Sequence, residues 1–245
     1  MLGLRDNLAI KTRCPSRLSI HCHLDLSKLR SAIRDPRSAI RDPRSAIRDP
    51  RSAIGVLSLL ALAACSGSRD NYASHREKAI LSHAAQDRFP IVMVGDSFVE
   101  LMDLPILCGK RVLNAGVSGA KVADTAQFAP KVIASERPKL LIVNVGVNDA
   151  HRKVMTRAAD VRRDLTSILD VARKAGVRVL LLGIAPITGK GISAEFNADK
   201  AIELNAALIM LGGKPVPALD SDDGLHPNAK GYVKLKSIIS GVCNS

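Results

Sequence analysis

The chain repeatedly sets a short, near-continuous apolar run, rich in β-branched residues, immediately before a glycine-bearing turn. Ile91–Val94 runs into Gly95-Asp96-Ser97, Arg111–Asn114 into Ala115–Gly119, and Leu140–Val145 into Gly146-Val147-Asn148-Asp149. Strands that are apolar throughout, rather than alternating, need cover on both faces. Segments of helical spacing lie between them. The clearest is Thr156–Lys174, where Val161, Leu165, Ile168 and Ala172 share one face and Gly176 closes the helix. This alternation restricts the fold to an α/β domain with a mostly parallel sheet between two helical layers.

Further strands are expected at Val177–Leu182 and, at an edge where proline is tolerable, at Val216–Leu219, making five. A short apolar-bearing helix or turn is expected over Phe98–Leu104, stopped by Pro105. Helices are expected over Ala120–Phe128, ending before Pro130, over Ala194–Leu211, and from near Pro227, with Tyr232, Leu235 and Ile239 inward. The domain so outlined covers residues 89–245, and a polar linker, with a short helix through His83, covers 66–88.

The N-terminal part reads differently. In residues 1–53, Arg-Ser-Ala-Ile-Arg-Asp-Pro occurs at 30–36, 37–43 and 44–50. A proline every seven residues blocks a continuous helix, and one Ala-Ile pair per repeat cannot bury a core. We expect a disordered leader or translated upstream sequence. Residues 54–65 follow as an apolar run of signal-peptide length, preceded by arginines and ending Leu62-Ala63-Ala64-Cys65. That ending resembles the lipobox of bacterial lipoproteins, in which the cysteine is acylated and the leader removed before it. The resemblance implies a membrane anchor at Cys65 and places the domain in the cell envelope, on the outer membrane or periplasmic face.

Charge adds little. Of the net +13, residues 1–65 contribute +7 from 12 Lys+Arg against 5 Asp+Glu, leaving a mildly basic domain. Aromatics are 2% with no Trp, so stacking platforms for nucleic acid are not expected. The run Arg152, Lys153, Arg157, Arg162 and Arg163 reads as a solvated face.

Loops that follow parallel strands converge at one sheet edge, where α/β folds place their ligands. Ser97 in Gly95-Asp96-Ser97 offers a hydroxyl that becomes a nucleophile once a base takes its proton. His226, in Asp222-Asp223-Gly224-Leu225-His226-Pro227, is the candidate base. Asp223, three residues earlier, is placed to fix its tautomer; spacing favours it over Asp222. His151, near Asn148, is a second histidine that we expect on the solvated start of a helix. Backbone N–H groups of Ser97 and Gly119, with the Asn148 amide, are candidate donors to a developing oxyanion.

These four blocks resemble the SGNH (GDSL-type) hydrolase family, over Ile91 to Tyr232 and in the family's order. The resemblance implies a flavodoxin-like three-layer α/β/α fold and esterase, lipase or thioesterase chemistry, with no metal and no organic cofactor. Carried over by position, Ser97, Asp223 and His226 are the triad, and Gly119 and Asn148 are oxyanion donors. The chain departs from the family at Phe98, often Leu, a packing change. It departs again at Ala120-Lys121, often Asp-Thr, which keeps the donor N–H but alters the loop. The expected activity is hydrolysis of small acyl or acetyl esters, the substrate being a small ester or an acylated glycan or lipid. The same residues also suit an O-acyltransferase acting on envelope polysaccharide, or a catalytically silent lipoprotein that binds glycan or lipid. Cys108 and Cys243 remain in the mature chain; an oxidising envelope permits their pairing, and the sequence leaves two free thiols equally open.

Overall fold

The computed structural model describes residues 71–244. The chain divides into two units, Met1–Leu59 and Leu60–Ser245, and every described residue belongs to the second. The 1–53 leader, the 54–65 apolar segment and Cys65 lie outside the described residues.

The central strand is β1 (Ile91–Gly95), buried at all five residues. Its parallel neighbours are β3 (Lys110–Gly116) and β4 (Leu140–Asn144), with Gly95 in register with Gly116 on one side and Asn144 on the other. β5 (Arg178–Leu181) extends the sheet beyond β4, and β2 (Ile106–Leu107) lies antiparallel on β3. The order is β2-β3-β1-β4-β5. From β1 the chain turns first to β3 on one side and then crosses to β4 on the other. The loops after these three strands are therefore brought side by side at the switch point.

Successive side chains of β1 feed two cores, as the period of two requires. Val92 and Val94 pack with Leu113, Leu141 and Val143 under four helices: α1 (residues 71–86), α3 (Val122–Glu136), α4 (Ala158–Lys174) and α5 (Ala198–Met210). Ile91 and Met93 pack on the opposite face with Ile142, under α2 (Ser97–Glu100) and α6 (Ala229–Ser240). The result is the expected three-layer α/β/α arrangement around a mostly parallel five-stranded sheet.

Four expectations change in detail. The fifth strand is β2, not Val216–Leu219. Pro215 and Pro217 have no N–H to give a ladder, and that edge makes one parallel bridge, Leu182 to Lys214. Helix α3 runs through Pro130 to Glu136. An interior proline costs about 3 kcal/mol, but Val132 and Ile133 beyond it are buried, each contributing about 1.5–3 kcal/mol. Residues 194–211 divide into a 3₁₀ turn, Gly191–Glu195, and α5, because the Asn197 side chain accepts from the Lys200 amide and starts the helix there. The short helix expected through His83 is α1, which runs on to residue 86, and its Ile80 and Ala84 enter the core rather than leaving the stretch a free linker. Cys108 and Cys243 are bonded, with Cα atoms 5.3 Å apart, tying the loop after β2 to the C-terminal turn.

Candidate active site

The nucleophile's position follows from three adjacent residues. Gly95 ends β1 where a Cβ would stand 1.9 Å from the Asn144 carbonyl oxygen, so no side chain fits. Asp96 is the N-cap of α2, its Oδ1 accepting from the Phe98 amide at 2.9 Å. Burial pushes the Asp96 carboxyl up to about 7 against the pull of the Phe98 amide, and the charge of Asp149 adds to the rise. Ser97 then opens the helix at the edge of the sheet.

The loop from Asp220 to Asn228 delivers the other two candidates. Asn228 N–H donates to the Asp220 carbonyl at 2.8 Å, and Asn228 caps α6 by accepting from Lys230 and Gly231. Asp222 accepts from Asn228 Nδ2 at 2.8 Å, so it supports the cap. Asp223 faces inward. Its Oδ2 lies 2.7 Å from His226 Nδ1, and His226 Nε2 lies 3.0 Å from Ser97 Oγ. Asp223 Oδ1 accepts from the amides of Leu225 and His226 and from the Ser221 hydroxyl. Partial burial raises the Asp223 carboxyl, but the imidazole and these two amides outweigh it and hold it at about 2. An ionised Asp223 accepts only. Nδ1 therefore carries the imidazole proton, and Nε2 is left to accept from the Ser97 hydroxyl. Phe98 is buried, with its ring 6.2 Å from that of His226.

The glycine loop is a turn over Val117–Ala120, closed by Ala120 N–H donating to the Val117 carbonyl at 3.0 Å. Gly119 has φ +80°, which this turn needs at its third position and which favours glycine. Val117 N–H donates to the Gly95 carbonyl at 2.9 Å, fixing the turn against β1. Asn148 opens a 3₁₀ turn after β4 and donates from Nδ2 to the Ala120 carbonyl at 3.0 Å, joining the asparagine loop to the glycine loop. Ala120 serves through its backbone, so the departure from Asp-Thr leaves this contact in place.

Gly119 and Asn148 line a cleft of about 460 Å³ whose other walls include Lys121, Thr125, His151 and Lys153. From the other side, Phe98, Val147, Ile187, Leu219 and Leu225 enclose an apolar slot of about 10 Å³. Of these, Phe98, Val147 and Leu225 are sequence neighbours of candidate site residues. Such a volume is the room of one water or methyl group.

All five sequence-derived candidates thus sit at one sheet edge, Ser97 opening α2 and the others in turns and loops, with Ser97, Asp223 and His226 hydrogen-bonded in series. His151 is not at a helix start; it follows the 3₁₀ turn, 3.4 Å from Glu195 and stacked edge-on against Phe196. Arg157 and Arg163 pair with Asp160 on the exposed face of α4, as a solvated stripe should. Asp149, which closes the asparagine motif, has a structural part. It is buried, its Oδ2 accepting from the Val122 amide at the start of α3, and burial pushes its carboxyl up. Its motif carries no hint of this, because the contact joins residues 27 apart in sequence.

The model of the GDSL-like Lipase/Acylhydrolase family matches residues 94–234. Esterase TesA of Pseudomonas aeruginosa is 32% identical over 125 residues, covering 48% of this chain; the chain spans 61% of that relative's length. Among solved structures, a Streptococcus pneumonia protein described as a candidate platelet activating factor superposes with a TM-score of 0.62 at 19% identity, over 76% of this chain and 99% of that one. A GDSL-like lipase of Bacteroides thetaiotaomicron superposes with 0.57 at 16% identity, over 69% and 97%. At these identities the structural likenesses speak for the fold.

Proposed function

Because the chain belongs to the GDSL-like lipase/acylhydrolase family, we propose that it is a serine ester hydrolase, working through an acyl-enzyme on small acyl esters. The observation that carries this reading is the series Asp223–His226–Ser97, with contacts of 2.7 and 3.0 Å and the tautomer set by the ionised carboxylate. Ser97 Oγ attacks the ester carbonyl while His226 Nε2 takes its proton. The N–H groups of Ser97 and Gly119 and the Asn148 amide receive the oxyanion. His226 returns the proton to the departing alcohol; a water then attacks the acyl-serine, giving up a proton to His226, which passes it to Ser97 Oγ as the acyl C–O bond breaks and the acid is released.

The two hollows support a division of the substrate. The apolar slot beside Phe98 and Leu225 has room for an acetyl methyl and little more. The larger cleft, lined by Lys121, Thr125 and Lys153, suits a polar alcohol such as a sugar, since a long hydrocarbon there would strand those groups without partners. The test is hydrolysis of p-nitrophenyl acetate by the mature protein. Ser97→Ala abolishes it on this reading, and wild-type rates in that variant defeat it.

For location, the proposal is a lipid anchor at Cys65 in a bacterial cell envelope. The lipobox-like ending supports it, as does the Cys108–Cys243 bond, since disulfides persist in oxidising compartments. Mass spectrometry of membrane-extracted protein decides: an unmodified chain beginning at Met1 refutes the anchor.

A further inference from the structure

The turn that presents Gly119 is held by a side chain outside the four blocks. With its closing bond and a positive φ at the third position alone, the turn over Val117–Ala120 is type II. In that geometry the Ser118–Gly119 peptide, which carries the Gly119 N–H, is the unit that reverses if the turn relaxes to type I. The neighbouring amide, Ser118 N–H, donates to Glu100 Oε2 at 2.5 Å. Glu100 Oε1 accepts from the Tyr72 hydroxyl and lies 3.8 Å from Arg76 Nε. Arg76 also donates to the carbonyls of Gly116 and Asn114, at 3.0 and 3.2 Å. Burial first, and then the Glu100 carboxylate, hold the Tyr72 hydroxyl at about 12, so it remains a donor.

Glu100's backbone is equally fixed. Asn114 Nδ2 donates to the carbonyls of Val99, Glu100 and Met102, stapling the end of α2 to β3. Glu100 lies one helical turn beyond Ser97 in α2. One rigid turn of helix therefore carries the hydroxyl at one end and grips the glycine turn at the other.

We infer that Glu100 is a positioning residue for the Gly119 oxyanion donor, and that Tyr72 and Arg76 make α1 part of the active-site scaffold. The inference rests on the serine-esterase reading, and it assigns a working role to a helix outside the catalytic blocks. Removing an oxyanion donor outright costs about 10²–10³ in kcat. Misplacing one by freeing its turn should cost less, about tenfold.

The experiment uses the mature protein and p-nitrophenyl acetate. In Glu100→Ala, kcat falls about tenfold with KM within about twofold, because the donor acts on the transition state. Ser118→Pro supplies the control, since proline pre-sets φ at the second position and, followed by glycine at the third, favours the type II turn. In the double variant Glu100→Ala/Ser118→Pro, kcat returns to within about threefold of wild type. A purely structural role for Glu100 predicts no such rescue. A folded Glu100→Ala protein with unchanged kcat overturns the inference, and so does a loss that Ser118→Pro fails to restore. If Glu100→Ala does not fold, Glu100→Gln, which leaves one neutral acceptor oxygen, takes its place. It should lose about threefold in kcat, and no loss overturns the inference. Ser97→Ala run alongside separates the two failures: activity surviving there condemns the esterase reading instead.

Discussion

The buried carboxyl of Asp96 makes stability depend on pH in an unusual direction. In the unfolded chain it titrates near the ordinary value of 3.8, and in the folded protein at about 7. Between those values the native state holds a proton that the unfolded chain has lost, so stability falls as pH rises from 4 to 7 and levels off above. A separation of about three units corresponds to about 4 kcal/mol, or about 8–16 °C in Tm for a domain of this size. Asp96→Asn cannot ionise. Its oxygen keeps one of the two amides that Asp96 accepts from, those of Phe98 and Gly146, while its NH₂ faces the other, at a cost of about 1–3 kcal/mol. The variant should therefore be less stable than wild type at pH 4 and equal or superior at pH 8. Urea unfolding of both proteins at unit steps of pH yields the difference curve, in which contributions from other groups largely cancel. A difference that stays flat from pH 4 to pH 8 refutes the buried, proton-holding Asp96.

Three further outcomes are expected. Asp223→Asn leaves its turn folded but offers the imidazole the wrong tautomer, and kcat for p-nitrophenyl acetate falls by about 10³–10⁴. Leu219→Ala enlarges the apolar slot, so the ratio of kcat/KM for butyrate over acetate esters rises; a constant ratio places the acyl group elsewhere. Cys108 and Cys243 enclose a loop with a sequence separation of 135, and loop-closure entropy sets an upper value of about 5 kcal/mol for the bond. Chemical unfolding of Cys243→Ser measures the loss.

Much of the site was legible because it is built from local pieces. Ser97, Gly119 and Asn148 each lie within a few residues of a parallel strand's end, and such ends meet at one edge, while Asp223 and His226 were legible from their own short motif before the last helix. Val92 and Val94 carried the buried-strand signal in their own side chains. What depended on distant contacts was not legible. The helix through His83 was expected, but not its docking, since Ile80 and Ala84 make sense only against a sheet that comes later in the chain. Glu100, one more charged residue in a short helix, gains meaning from Ser118 and Tyr72, far from it in sequence. The Cys108–Cys243 pairing is a distance, and spacing does not encode distance. Pro130 misled in the opposite sense: its local cost is real, but packing beyond it is worth more.

The hydrogen bond between His226 and Ser97 spans 129 residues of sequence. A chain that emerges from its N-terminus carries the serine hydroxyl, the glycine turn and the asparagine long before the imidazole that, on the serine-esterase reading, takes the hydroxyl's proton. Until the loop from Asp220 to Asn228 is laid down and α6 docks, the serine is an ordinary alcohol on that reading. Reactivity is thus withheld from every incomplete form of the protein, and labelling of Ser97 by a fluorophosphonate becomes a clock for the completion of folding.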